Sequence, residues 1–374
     1  MKQKVLLMVA DSERDANVLY ATRFFAPDPF IFLQIGNKKL VVLSDLEIDR
    51  GKREASVDVV LSASAIARKL KTQGISASFE EIIAYLLRSY RVKSVEVPAQ
   101  FPICLADALR KKGFRIRSKP DPFFESRQFK RPDEIRAIAA SVHAVEVGFE
   151  KGVQALKKAR IRRDRKLVLD GEVFTSERLR AVINTTILSL GFVPSNTIVA
   201  CGRQGADPHE RGSGPLRAGE PIIIDIFPRS EKTGYYGDFT RTVVKGKASS
   251  HLRGMYEAVL MGQRWAIGQV RDGVSGDSIH QGLLDFFCSR GFLTREVKGR
   301  REGFFHGTGH GVGLEIHEAP RISPLPSVLK KGHVVTVEPG LYYPDIGGVR
   351  LEDIVVVTKK SAHNLMKYEK SFEI

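Results

Sequence analysis

Apolar residues in the first third of the chain fall into short runs. Residues 5–9, 30–35 and 40–43 have strand length, and Asn37-Lys38-Lys39 between the last two has the character of a hairpin turn. Two more runs, 57–61 and 94–97, are separated by stretches at 62–72 and 79–91 whose apolar spacing predicts helices. Strands alternating with helices point to an α/β domain. The segment Ser118-Lys119-Pro120-Asp121-Pro122 suits a boundary, so residues 1–122 are expected to form one domain and 123–374 another.

Pro132-Asp133-Glu134 combines a proline with two acids, the signature of a helix start. Ile135, Ile138, Ala139, Val142, Val145, Val147 and Phe149 carry that helix to about residue 157, and a second is expected at 176–190, before Gly191. Glycine-rich, strand-prone sequence follows at 198–200, 221–227 and 238–244. Helix returns at 250–271 and 275–290, and strands at 333–337 and 351–357. Two helices followed by antiparallel strands thus occur twice, at 132–245 and 250–358. This is a hint of internal pseudo-symmetry without a residue-level repeat.

Hydrophobic residues at 43% and charged residues at 27% over 374 positions exclude a disordered chain, a fibrous repeat and an obligatory membrane protein. Fifty-nine Lys and Arg against 43 Asp and Glu give a net charge of +16. Such a surface attracts polyanions, but the basic runs are short, mixed with acids and free of interleaved aromatics. A solvated basic face is the expected reading, and nucleic acid is not an expected partner. Cys104, Cys201 and Cys288 are too scattered for a disulfide framework or a zinc knuckle. The apolar run at 5–10 is too short for a signal-peptide core, so a cytoplasmic location is expected.

Histidines cluster once, in His306-Gly307-Thr308-Gly309-His310-Gly311-Val312-Gly313-Leu314-Glu315-Ile316-His317. The glycines allow close backbone approach and make poor material for a helix or an ordinary strand. Four acids interrupt strand-like runs: Asp225 after three isoleucines, Asp238 before Phe239, Glu338 after Val337, and Glu352 within residues 349–357. A buried carboxylate is costly unless it is paired or bound to a cation. Asp225 and Asp238 could reach one face through a hairpin; equally, Asp238 could cap a turn and pair with Arg241. Four such acids converging with an imidazole would need about two divalent cations to cancel their repulsion. The oxygen-rich donor set suits Mn²⁺, Co²⁺, Fe²⁺ or Zn²⁺, and two such ions support hydrolysis of a carbonyl compound.

The order Asp225, Asp238, His310, Glu338, Glu352 resembles the ligand set of the pita-bread metallopeptidases, which include methionine aminopeptidase, Xaa-Pro aminopeptidase and prolidase. The strings carrying the resemblance are Ile224-Asp225, residues 237–242, 306–320 and 336–342, and Arg350-Leu351-Glu352-Asp353. An α/β domain ahead of them favours the Xaa-Pro aminopeptidase and prolidase branch. The resemblance implies a pita-bread α+β catalytic domain with a smaller N-terminal α/β domain, in a homodimer. Its implied activity is a dinuclear metal-dependent exopeptidase acting where proline follows an N-terminal residue, on a peptide or dipeptide. Mn²⁺ heads the candidate metals, before Co²⁺, Zn²⁺ or Fe²⁺.

Carried over residue by residue, the resemblance makes Asp238 and Glu352 bridging ligands and Asp225 a ligand of one metal, with His310 and Glu338 holding the other. Glu338 is also the general acid/base. His209 contacts the substrate, His317 hydrogen-bonds the scissile carbonyl oxygen, and His306, Arg350 and Tyr342 line the prolyl side. Simpler roles stay open for some: His209 as a loop cap, Arg350 as a neutraliser of carboxylates, Tyr342 as core. His143 and His251 are expected to be structural. The two aspartates are 13 apart, two residues more than the family's usual interval, which bears on pocket shape, as does Phe227-Pro228. A creatinase-like hydrolase and a non-catalytic binding module are the alternatives.

Overall fold

The early apolar runs form β1 (Val5–Ala10), β2 (Phe30–Ile35), β3 (Lys38–Leu43), β4 (Val59–Ser62) and β5 (Ser94–Pro98), joined by β6 (Arg115–Lys119). This is a computed structural model, and it describes residues 4–374. The six strands make one mixed sheet in the order β4-β3-β2-β1-β5-β6. Helices α1 (Ala16–Thr22), α2 (Ile48–Glu54), α3 (Ala63–Thr72), α4 (Phe79–Ser89) and α5 (Ile103–Lys111) connect them. The seven residues of α1 and of α2 are too few to show a helical period in sequence, and β6, reading RIRSK, has no apolar run. The unit extends to Arg127, because Phe123 is buried with Val18, Phe24 and Phe32 beyond the proline-rich segment.

The second unit is Gln128–Ile374. Helix α6 (Pro132–Lys158) starts at the predicted proline, and the Glu134 carboxylate accepts the Arg131 backbone N–H at 2.8 Å. It packs on α7 (Ser176–Ser189) through Gly148, where an added Cβ would lie 2.5 Å from Ile187 Cγ1. A three-stranded antiparallel sheet follows, in the order β7 (Ile198–Cys201), β8 (Ile222–Ile226), β9 (Phe239–Val243). Then come α8 (Ser250–Gln269) and α9 (Gly276–Ser289). After them come a small hairpin at 295–302 and then β10 (Gly309–Gly311), β11 (Glu318–Ile322), β12 (Val334–Val337), β13 (Gly340–Tyr343), β14 (Gly347–Arg350), β15 (Asp353–Val357) and β16 (Ala362–Asn364). Five of them form a sheet in the order β11-β10-β12-β15-β16, while β13 and β14 pair as a separate hairpin. The succession of two helices and then a sheet, noted twice in the sequence, is present twice in the fold.

Strand alternation decides what each face carries. Ile222, Ile224 and Ile226 of β8 pack in one cluster with Ile138, Val142 and Phe149 of α6 and Ile183 of α7. Ile223 belongs to a different cluster, with Ile198 and Tyr342, so Asp225 shares its face of β8. In the second sheet Val335 and Val337 of β12 and Val355 and Val357 of β15 pack against Ala266 and Ile279, on α8 and α9. Glu338 and Glu352 continue the opposite parity. Burying each Ile or Val contributes roughly 1.5–3 kcal/mol, so a one-residue slip that exchanged these faces would be strongly disfavoured. Among the described residues no helix is long and apolar enough to cross a membrane.

Candidate active site

Each acid sits at a point where an apolar strand delivers it to a common centre. Asp225 lies opposite Thr240 in the β8–β9 ladder, and Asp238 precedes β9 directly. Val337 pairs with Asp353, so Glu338 and Glu352 flank adjoining ends of β12 and β15. The two sheets are joined where the Glu352 N–H donates to the Thr240 carbonyl at 3.0 Å. His310 is the middle residue of β10. The five side chains line one cavity of about 600 Å³, together with His209, His306, His317 and Arg350. Tyr342 does not line it; fully buried, it bonds to two residues that do.

His310 Nε2 lies 3.3 Å from Glu338 Oε1 and 3.6 Å from Asp238 Oδ2. Its Nδ1 is 3.1 Å from the Gly311 carbonyl, which directs Nε2 at the acids. Glu352 Oε2 accepts from the Thr240 hydroxyl at 2.8 Å, and Asp225 Oδ2 is 2.6 Å from an Arg350 guanidinium nitrogen. The second oxygens of these two acids, Asp225 Oδ1 and Glu352 Oε1, are buried without a hydrogen-bond partner. Asp238, His310 and Glu352 each present a ligand atom within 4.8 Å of the others. Orphaned carboxylate oxygens beside a single imidazole are the donor set a hard or borderline divalent cation would satisfy.

The electrostatics agree with that fit. Burial, reinforced by Glu352, Asp225 and Glu338, raises Asp238 well above the usual carboxylate range. Burial, with Glu338 and Asp225, does the same to Glu352. Asp225 is also raised by burial, although Arg350 opposes the shift. Burial pushes Glu338 upward too, but its hydrogen bond to His310 and the nearby positive groups outweigh that and hold it at about 2. Four carboxylates crowded together, three of them buried, therefore cannot all be ionised without added positive charge.

The accessory residues form a second network. Arg350, 3% exposed, donates to Tyr342 Oη at 2.9 Å and to the Pro208 carbonyl at 3.3 Å as well as to Asp225. Tyr342 Oη is also 2.9 Å from His306 Nε2. Arg350 is thus a neutraliser of one carboxylate and a brace for Tyr342 at once. The His317 ring stands edge-on to His310 at 4.4 Å. His209 is exposed on the cavity rim, its backbone N–H bonded to Asp207 Oδ1 at 3.2 Å. His143 and His251 are exposed and outside the cavity.

Two sequence-level readings are corrected. Arg241 does not partner Asp238; it pairs with Asp353 at 2.8 Å and donates to the Glu352 carbonyl at 2.6 Å. The glycine-rich run does contain a strand, β10, because the absence of side chains lets it press against its neighbours. An added Cβ on Gly309 would lie 1.9 Å from the Thr336 carbonyl oxygen. Thr240, Arg321, Ser323, Phe305 and Ile316 also shape the site and escaped sequence reasoning. Only Arg321, facing His310 in the β10–β11 register, had a recoverable signal, and only once that pairing was known.

Comparison with known proteins gives a consistent result. A family model described as metallopeptidase family M24 matches residues 136–359. A Xaa-Pro dipeptidase of Pyrococcus furiosus is 38% identical over 180 residues, which cover 47% of this chain and 48% of that protein. A Xaa-Pro dipeptidase of Pyrococcus horikoshii is 27% identical over 343 residues, 90% of this chain and 86% of the relative. Among solved structures, an X-Pro aminopeptidase from Thermotoga maritima superposes with a TM-score of 0.82 at 23% identity, covering 100% of this chain and 98% of the other. That likeness shows the fold: a pita-bread α+β unit preceded by a smaller α/β unit.

Proposed function

The chain belongs to metallopeptidase family M24, and on that premise we propose that it is a dinuclear exopeptidase hydrolysing the bond between an N-terminal residue and a following proline. The observation that carries this reading is the meeting of Asp225, Asp238, His310, Glu338 and Glu352 in one cavity with two carboxylate oxygens left unpartnered. Asp238 and Glu352 would bridge two divalent cations, Asp225 would complete one site, and His310 with Glu338 the other. Mn²⁺ heads the candidates, with Co²⁺, Zn²⁺ and Fe²⁺ sharing the preference. Bound there, the ions supply Lewis acidity toward a carbonyl and lower the pKa of water.

The protein's own groups do the rest. Glu338 Oε1, held anionic beside His310, takes a proton from the attacking water and returns it to the departing nitrogen. His317 donates to the scissile carbonyl oxygen as the carbon becomes tetrahedral and charge builds on that oxygen, and His209 at the rim orients the substrate. An Xaa–Pro bond has no N–H, so its recognition rests on shape more than on acceptors. Phe227, Phe305 and Ile316 provide apolar wall for the pyrrolidine, while His306 and Arg350, braced by Tyr342, fix the prolyl side.

The curated relatives' names support a dipeptide as the first substrate to try. A cleavage panel of Ala-Pro, Ala-Pro-Ala and Met-Ala-Ser, with and without chelator, tests the reading. Hydrolysis of Ala-Pro that chelator abolishes is the expected result, and Ala-Pro-Ala cleavage would move the specificity to an aminopeptidase. Cleavage of Met-Ala-Ser alone would overturn the proline requirement.

A further inference from the structure

Lys130 reaches no part of the cavity, yet its ammonium is one of the most deeply buried charges in the second unit. Its side chain is 2% exposed and pairs with Glu318, whose side chain is 7% exposed. Glu318 directly follows His317, and the Glu318 carboxylate rests against Gly313, where an added Cβ would lie 2.6 Å from Oε1. The ion pair therefore clamps both ends of the segment 313–318. Gly313 is tied in turn by the Tyr236 N–H, which donates to its carbonyl at 2.8 Å. The Lys130 N–H donates to the Gly332 carbonyl at 2.8 Å, anchoring the lysine just ahead of β12, the strand that ends at Glu338. His317 itself is exposed, and the one ring contact it makes is with His310.

We propose that Lys130 is a positioning residue: its buried pair with Glu318 holds segment 313–318 so that His317 meets the scissile carbonyl. The inference rests on the role given to His317 above. A buried ion pair is weak evidence for stability, because exchange for neutral groups of similar size is often nearly neutral to folding, whereas geometry is what such a pair fixes. Displacing a reacting group by about 1 Å can cost on the order of 10²-fold in rate.

The test is the double variant Lys130→Met/Glu318→Gln in the full chain, which removes both charges of the pair. We expect kcat on Ala-Pro to fall about 10- to 100-fold, with KM within about twofold and bound metal at the wild-type level. A folded, metal-loaded double variant with wild-type kcat overturns the proposal, as does a loss of kcat that merely follows lost metal. Should the double variant fail to fold, the near-isosteric Lys130→Gln/Glu318→Gln pair is expected to show the same split several-fold, and its absence would be equally fatal. A crystal structure of the metal-free variant supplies a readout independent of turnover. The His317 ring should leave its 4.4 Å contact with His310, and an unmoved ring refutes the role. If the wild-type protein cleaves no Xaa-Pro peptide, the substrate reading fails, and this crystallographic comparison still decides the positioning role.

Discussion

Thr240 and Glu352 bond to each other twice: the Thr240 hydroxyl donates to Glu352 Oε2 at 2.8 Å, and the Glu352 N–H donates to the Thr240 carbonyl at 3.0 Å. One bond joins the two sheets, and the other aims the carboxylate at its fellow ligands. Thr240→Val removes that hydroxyl bond, together with the one the hydroxyl accepts from Arg350 Nε at 3.3 Å, and should lower metal affinity and activity by about 10- to 100-fold, as loss of a ligand's supporting partner does. Glu352→Ala should abolish hydrolysis and reduce the metal retained after gel filtration. A Glu352→Ala protein that keeps both would remove this residue from the metal centre.

Arg350 bears on both stability and specificity. Its side chain and that of Asp225 are 4% and 12% exposed, so Arg350→Met leaves a buried acid without its cation. Loss of one partner of such a pair costs about 3–5 kcal/mol, and the metal-free protein should lose about that much in urea unfolding. Added metal should recover part of the loss, since the orphaned Asp225 regains a cation. Arg350→Lys should stabilise better than Met yet raise KM for Ala-Pro, because an ammonium cannot hold Asp225, Tyr342 and the Pro208 carbonyl together. Equal KM values for wild type and Arg350→Lys would exclude Arg350 from the prolyl side.

Gly309→Ala tests the close packing of β10. The new methyl carbon would fall 1.9 Å from the Thr336 carbonyl oxygen, which belongs to the neighbouring strand and cannot swing aside. Overpacking of this kind costs about 1–3 kcal/mol or more. The variant should melt several degrees lower and lose activity, because His310 is the next residue. A Gly309→Ala protein with wild-type melting temperature and activity would show that this approach is looser than the structure has it.

How the site could be anticipated follows from what each residue interrupts. Asp225, Glu338 and Glu352 stand out because an acid in an apolar run is improbable without a partner, and His310 because it sits among glycines that only close packing explains. Arg241 was not legible: a basic residue near Asp238 invites pairing with it, but three residues along an extended strand put it on the opposite face, where it pairs with Asp353 on the other sheet. Lys130 and Glu318 lie 188 residues apart with no pattern around either, and long-range pairs of this kind leave no local trace. The β13–β14 hairpin was equally hidden. No strand or helix is expected from the sequence over residues 340–350, and Gly348 of that hairpin passes so near Gly205 that a Cβ would lie 1.8 Å from the Gly205 carbonyl oxygen.

His333 gives the stability a pH dependence separate from the catalytic cavity. It is 3% exposed, and its Nδ1 accepts the Lys330 N–H at 3.0 Å, which requires the neutral imidazole at that nitrogen. Burial first, then Lys130 and Lys330, bring its pKa down to about 4. In the unfolded chain the same imidazole titrates near ~6.5. Between those values the unfolded state binds a proton that the folded state refuses, so stability falls as pH drops from about 6.5 toward 4. Above pH 6.5 the contribution is fully present and constant. In His333→Gln this proton linkage is gone, so the urea midpoint should fall less steeply between pH 7.5 and 5 than in wild type. Measuring both proteins in metal-free buffer isolates the effect from metal release at low pH. A difference in midpoint between the two that stays constant across that range would show that His333 titrates alike in the folded and unfolded states.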